Sequence, residues 1–275
     1  MLNSTSKNIK TILARYHVSP KQSLGQHFLV NESVIKELVQ TPNIQEEDLV
    51  LEIGTGFGAV TVPLAHQSKH VFTVEIEPHF LESFRREYPQ FLDRVTLIPH
   101  NVLTLNIAEF FGKTSFDAVR YHVVGAVPYN ITSPIIHKFL TDHPQPDTIT
   151  LLIQKEVAEK VATHPPHGTY LSNFVSLMGT ATIAKNNISP GAFFPTPRVQ
   201  SAILTIDIHP KYPEIDPNVF SEYLHQGFKH PRKMLRQVLD ESTLVGNDIN
   251  PEARPQELSL SEWVKLFKHD VGIST

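Results

Sequence analysis

At 275 residues, 40% hydrophobic and formally −4 at pH 7, the chain is long and apolar enough for a large α/β domain plus a small appendage, which excludes disordered and fibrous classes. It has no Cys, which excludes disulfides and thiolate metal sites, and it has no apolar run near the roughly eighteen residues that a spanning helix needs. A soluble, cytoplasmic protein that is not exported is therefore expected. The mild acidity argues against a uniformly basic nucleic-acid coat, yet residues 1–31 hold Lys7, Lys10, Arg15 and Lys21 without an acid, and residues 223–239 hold Lys229, Arg232, Lys233 and Arg236 without one. Such patches can grip phosphates locally.

In chain order, residues 49–53 form an apolar run that ends in a glycine turn, and 59–65 continue with helical periodicity, so strand, loop and helix follow one another. Residues 70–74 read as a second strand, followed by a helix over 77–86. Strands are expected over 95–98 and 118–124, then a helix over 133–140. A fifth strand over 148–153 leads into a helix over 155–162. Residues 174–183 and 202–208 are two further β candidates, separated by a Pro-rich loop. The alternation implies a doubly wound parallel sheet with ligand sites at the carboxyl ends of its strands. Pro210, Pro213 and Pro217 mark a change of composition, after which 219–228, 231–239 and 260–268 look helical. The domain boundaries are set at 1–209 for the α/β domain and 210–275 for a small all-helical C-terminal domain.

Three constellations carry chemistry. Glu52-Ile53-Gly54-Thr55-Gly56-Phe57-Gly58 lies between a predicted strand and a predicted helix, where a nucleotide-binding glycine loop belongs. Glu75 ends the next strand, about 20 residues on, where a carboxylate meets ribose hydroxyls. Gly54, Gly56 and Ala59 also satisfy the dinucleotide pattern, while the alternation of Gly54, Gly56 and Gly58 suits the close-packed methionine part of S-adenosylmethionine. Val127-Pro128-Tyr129 follows the apolar end of another strand and decides between these cofactors. Pro128 pushes Val127 to extended geometry and leaves its carbonyl free to accept from an amine, and Tyr129 offers a flat face to a base. Such a loop suits methylation of an amino nitrogen on a nucleic-acid base and has no use in hydride transfer. Phe193-Phe194-Pro195 is a stiff aromatic corner in which Phe193 can stack on the opposite face of that base, with the core position expected of Phe194. His66 and His70 have helical spacing but no third ligand, so no metal site is assigned.

Several blocks then resemble, in order and spacing, the ribosomal RNA adenine dimethyltransferase family: Gln22-Ser23-Leu24-Gly25-Gln26-His27-Phe28-Leu29, the glycine turn, Val74-Glu75-Ile76-Glu77, Val127-Pro128-Tyr129-Asn130-Ile131-Thr132, residues 154–161 and residues 193–203. The resemblance covers about 21–239 and is closest to the small-subunit type. It implies a Rossmann-like class I methyltransferase that uses S-adenosylmethionine to dimethylate N6 of two adjacent adenosines near the 3′ end of 16S-type rRNA. It places the donor on His27, Leu29, Gly54, Glu75, Asn101 and Ala126, with Ala126 also at the target amine, beside the Val127, Pro128, Tyr129 and Phe193 expected around the base from their own chemistry. Three of these positions depart from the family pattern, since His27 and Ala126 stand where Asn is usual and Asn101 where Asp is usual. Ala126 matters most because alanine has no side-chain oxygen for the target amine. An assembly factor that binds rRNA without methylating it, and a methyltransferase of large-subunit rRNA, are the alternatives. The expected partner is the small ribosomal subunit, bound by a monomer. A helix over 231–239 is expected to set Arg232 and Arg236 on one face, with Lys233 and Lys229 beside them, as an acid-free surface for rRNA phosphates.

Overall fold

A computed structural model describes residues 11, 13–16, 19–20, 25–114 and 120–272. Its elements, in order, are β1 (Phe28–Leu29), α1 (Glu32–Gln40), β2 (Leu49–Ile53), α2 (Thr61–Gln67), β3 (His70–Glu75), α3 (Pro78–Glu87), β4 (Val95–Pro99), α4 (Ile107–Gly112), β5 (Tyr121–Ala126), α5 (Thr132–Thr141), β6 (Thr148–Gln154) and α6 (Lys155–Val161). They continue with α7 (Tyr170–Met178), β7 (Gly179–Ile188), β8 (Phe193–Phe194), β9 (Ser201–Ile208), α8 (Pro217–Gly227), α9 (Glu241–Gly246) and α10 (Leu260–Val271). Short 3₁₀ turns link several of them.

Seven strands form a sheet in the order β4-β3-β2-β5-β6-β9-β7. All five residues of β2 are buried, as befits a strand covered on both faces. β2 pairs in parallel with β3 on one side, Leu49 opposite His70, and with β5 on the other, Leu49 opposite Tyr121. The chain adds β3 and β4 outward from β2, then returns to lay β5 and β6 on its other side. That reversal opens a crevice at the carboxyl ends of β2 and β5, where ligands bind in sheets of this kind. The sheet is not wholly parallel as expected, because β9 runs antiparallel to β6, with Thr148 opposite Asp207 and Gln154 opposite Ser201.

The chain divides into two compact units. One contains the residues up to Ala158 together with Thr182–Asp207; the other contains Glu159–Ala181 and the chain from Ile208 onward. The C-terminal stretch of the second unit thus starts two residues before the expected boundary at 210, and the unit also takes in Glu159–Ala181, which the sequence had left with the sheet. In the first unit, α1 starts at Asn31, whose side chain accepts from Val34 N, and buries Val34, Ile35, Leu38 and Val39 in a core with Leu29, Val50, Leu64, Val124 and Phe193.

Residues 174–183 are not one strand. Thr169 and Ser172 form a reciprocal capping box, Thr169 Oγ1 accepting from Ser172 N at 3.0 Å and Ser172 Oγ from Thr169 N at 2.8 Å. This starts α7, which buries Phe174, Val175, Leu177 and Met178, and the chain becomes β7 only at Gly179. In the second unit, α8 is capped by Asp216, α9 by Asp240 and α10 by a Ser259/Glu262 capping box. Phe220 meets Phe267 edge-on at 5.3 Å, and Trp263 and Leu224 are fully buried.

The expected helix over 231–239 is also absent. Met234 is extended, at φ −67° and ψ 149°. Leu235 N then donates to Ala253 O at 2.8 Å and Arg236 N to Pro251 O at 3.0 Å, so these amides serve remote carbonyls in place of a helical ladder. Only Leu235–Gln237 coil, as a 3₁₀ turn. Of the strand expected over 118–124, Ala118 lies outside the described residues and the observed strand is Tyr121–Ala126.

Candidate active site

The crevice holds a cavity of about 340 Å³. Its first wall is the glycine turn. Gly54 has φ +87°, and a Cβ built on it would meet nothing within 4 Å, so the bare backbone borders open space that a side chain would fill. Gly58, at φ +80°, has a different reason to be glycine: a Cβ there would sit 2.9 Å from the rings of Phe84 on α3 and of Tyr88 just after it. The three alternating glycines therefore do not share one task, and Gly58 lets α3 close on the turn.

Two carboxylates stand behind this turn. Glu75 ends β3 at 8% exposure and lines the cavity. Its Oε1 accepts from Glu77 N at 2.9 Å and its Oε2 from Gly56 N at 3.3 Å. Burial raises its pKa, and the backbone donors oppose the rise. Glu52 on β2 is fully buried, and its Oε2 accepts from Thr61 Oγ1 at 2.7 Å. Its other oxygen has no partner among the described residues, and burial pushes its pKa up to about 8. A protonated carboxyl in the core is the form this environment favours.

The second wall is the turn after β5. Ala126 ends the strand, Val127 is buried, and Val127 N donates to Leu152 O at 3.3 Å. Pro128, at φ −56° and ψ 135°, turns the chain into a 3₁₀ segment whose Ile131 N donates to Pro128 O. Tyr129 is half-buried, and its hydroxyl shares a 2.8 Å hydrogen bond with Ser201 Oγ. Burial raises its pKa.

The third wall joins distant parts of the chain. β1 and β8 pair antiparallel, Phe28 opposite Phe194 and Leu29 opposite Phe193. Phe193 is the more buried of the two phenylalanines, at 5% exposure, and belongs to the sheet core. Phe194 is partly exposed and packs on Phe57 and Phe80 through a separate cluster. This reverses the expected assignment, because the ribbon register turns Phe193 and not Phe194 toward the core. Phe193 still lines the cavity, as wall and not as a free-standing platform. The ring that faces Tyr129 is His27, near-parallel at 22° with centroids 6.1 Å apart.

On the far side, Asn101 Oδ1 caps a 3₁₀ turn by accepting from Leu103 N at 3.0 Å, so its oxygen is engaged on the backbone. Ile76, 53% exposed, lines the same cavity with Val102 and Leu103 as an apolar surface for a planar ring. These three carry no signal in the sequence beyond following Glu75 and Asn101. The cavity thus offers a carboxylate for hydroxyls, a glycine backbone and apolar faces, a donor set that fits S-adenosylmethionine. All the candidate donor and target residues, His27, Leu29, Gly54, Glu75, Asn101, Ala126, Val127, Pro128, Tyr129 and Phe193, line it.

The basic residues lie elsewhere. Lys229, Arg232, Lys233 and Arg236 are all exposed on the irregular segment described above. The surface is not free of acid, since Arg236 pairs with Glu252 at 3.6 Å. Of the N-terminal basic group, Lys7, Lys10 and Lys21 lie outside the described residues, as do Gln22, Ser23 and Leu24. Arg15 pairs with Glu87 at 2.9 Å. No described helix is long and apolar enough to cross a membrane.

A family model described as ribosomal RNA adenine dimethylase matches residues 18–269. A ribosomal RNA small subunit methyltransferase A of Caldanaerobacter subterraneus subsp. tengcongensis is 34% identical over 90% of this chain and 95% of its own. Its namesake in Desulfotalea psychrophila is 29% identical over 94% and 93%. Among solved structures, a dimethyladenosine transferase of Plasmodium falciparum superposes with a TM-score of 0.73 at 22% identity, over 90% of this chain and 99% of that one. The 23S rRNA methyltransferase ErmE superposes at 0.67, also at 22% identity, over 88% and 98%. At that identity the two structures share the fold.

Proposed function

Because the chain belongs to the ribosomal RNA adenine dimethylase family, we propose that it dimethylates N6 of two adjacent adenosines near the 3′ end of small-subunit rRNA, as a cytoplasmic monomer. The observation that carries this reading is that the glycine turn with Glu75 and the turn Ala126–Tyr129 wall one cavity. A donor nucleoside and a target base are thereby brought within reach of each other.

S-adenosylmethionine supplies an electrophilic methyl group on a sulfonium sulfur. Glu75, already held by two backbone amides, takes the ribose hydroxyls; Gly54 admits the methionine part against the backbone; Leu29, Ile76 and Asn101 border the rest of the donor. Tyr129 stacks on an adenine that has left its helix, and the Val127 carbonyl accepts from its exocyclic amine. Because the amine is delocalised into the ring, orientation by acceptors is what these residues contribute. Lys229, Arg232, Lys233 and Arg236 contact rRNA phosphates and position the subunit without reading sequence.

Incubation with immature small ribosomal subunits and isotopically labelled donor tests this reading. Labelled dimethyladenosine in digested small-subunit rRNA is expected. Subunit and donor binding without product would favour an assembly factor, a reading that rests on the missing side-chain oxygen at Ala126.

A further inference from the structure

Ala126 leaves the target amine without the side-chain acceptor usual at that position, and most other polar groups around the cavity are engaged. Asn101 Oδ1 accepts from Leu103 N, both Glu75 oxygens accept from backbone amides, and the Tyr129 hydroxyl is bonded to Ser201. His27 differs. Its Nδ1 lies 2.7 Å from Pro195 O. A carbonyl only accepts, so the hydrogen of the neutral ring sits on Nδ1 and Nε2 carries a lone pair. No described residue bonds Nε2, which points away from Pro195 on a ring that lines the cavity.

We propose that His27 Nε2 is the acceptor that holds the N6 amine of the target adenosine, in the role that Ala126 cannot fill. The inference rests on the methyltransferase reading above. The His27 and Tyr129 rings are near-parallel with centroids 6.1 Å apart and both line the cavity, so a base that reaches Tyr129 also comes within reach of the imidazole. An exocyclic N–H and an imidazole lone pair both lie in their ring planes, and they bond when the amine edge of the base is turned to Nε2. As N6 forms its new bond to the methyl carbon, the carbon–sulfur bond breaks with its electron pair left on sulfur as a thioether. N6 becomes cationic and then gives one proton to water. The N–H held by Nε2 grows more acidic as that charge develops, so the hydrogen bond strengthens toward the transition state and lowers the barrier. A bond to the donor would behave differently, since its loss would appear in donor affinity.

Dimethyladenosine formation on immature small subunits, with calorimetric affinity for S-adenosylmethionine, is measured for the parent, His27→Phe, Ala126→Asn and the double variant. Phenylalanine keeps the flat ring and removes both nitrogens. In the parent background His27→Phe is expected to lower turnover about 100-fold and to leave donor affinity within about 3-fold. On Ala126→Asn, whose amide restores an acceptor, the same change costs less than about 5-fold, so the two positions are strongly coupled. Equal losses in both backgrounds, or a loss that tracks weakened donor binding, overturn the assignment. If His27→Phe lacks a cooperative melt, His27→Leu, which also removes both nitrogens, is read in its place with the same expected losses. A parent that binds donor and subunits but yields no product overturns the methyltransferase reading and this one with it, and is told apart by the parent's own assay.

Discussion

The two turns that wall the cavity are anchored differently. The glycine turn opens to the cavity at Gly54 but is footed in the core: Glu52 beneath it is fully buried, Glu75 nearly so, and a Cβ on Gly58 would meet Phe84 and Tyr88. The Pro-Tyr turn stands half out of the core, with Ala126, Pro128 and Tyr129 partly exposed and Asn130 exposed. A buried turn cannot change without disturbing the fold, whereas a half-exposed one can lose a side chain and be complemented from elsewhere. In the proposed function the first turn, with its carboxylate and glycines, holds the donor, and the second, with Ala126 and an imidazole nearby, holds the target base. Changes in the first should therefore register as stability, and changes in the second as turnover.

The largest expected effect tests the buried half. The folded chain holds a proton on Glu52 up to about pH 8, against an ordinary value of 4.5. The raised folded pKa means that this contribution to stability is fully present below the unfolded value and is lost as pH rises through the folded one. Glu52→Gln, which keeps an oxygen for Thr61, should match the parent near pH 5. Above pH 8 it should be more stable by on the order of 4 kcal/mol, as read from urea midpoints. Parallel pH curves for the two proteins would break the comparison. Next, Gly58→Ala forces a left-handed backbone onto alanine and a methyl onto two rings, and should lower unfolding free energy by about 2–4 kcal/mol.

In the half-exposed turn, Tyr129→Ala should remove on the order of 1–3 kcal/mol of base stacking. Turnover on subunits should fall about 5- to 150-fold while donor affinity stays near that of the parent. A loss confined to melting temperature would assign Tyr129 to the core. The smallest effect is expected outside both halves. Alanine at Arg232, Lys233 and Arg236 should weaken subunit binding and flatten its logarithmic salt slope by about 1–2 units. The change falls short of three full phosphate contacts because Glu252 already offsets Arg236. Unchanged binding at every salt concentration would mean a merely solvated surface.

Much of the buried half is legible in the sequence. A short apolar run, a glycine turn and a carboxylate closing the next strand state a strand–turn–helix–strand unit in local terms, and β2, α2 and β3 are found there. The errors share a physical cause, which is that distant backbone decides. Residues 174–183 carry the β-branched Val175, Thr180, Thr182 and Ile183, and neither Thr169–Ser172 capping nor the change at Gly179 shows in a single apolar window. The basic segment has helical spacing, but its amides are taken by Pro251 and Ala253. Phe193 and Phe194 sit on a strand of two residues, too short for alternation to reveal which one faces inward. His27 is visible as a departure from the family pattern, yet nothing near it in sequence shows that Pro195 fixes its hydrogen.

The bond between His27 and Pro195 joins residues 168 apart in the chain, and the ribbon of β1 on β8 spans a similar interval. Closing so long a loop is entropically unfavourable and slow compared with forming the local strand–helix pairs. During synthesis the sheet from β2 to β6 has emerged before β8 exists, so the donor half is assembled around a cavity whose third wall has not yet been made. The imidazole gains its fixed hydrogen only when residues near 195 fold back onto the start of the chain. A ribosome-bound chain cut short of that point would therefore carry a glycine turn and Glu75 but no oriented His27.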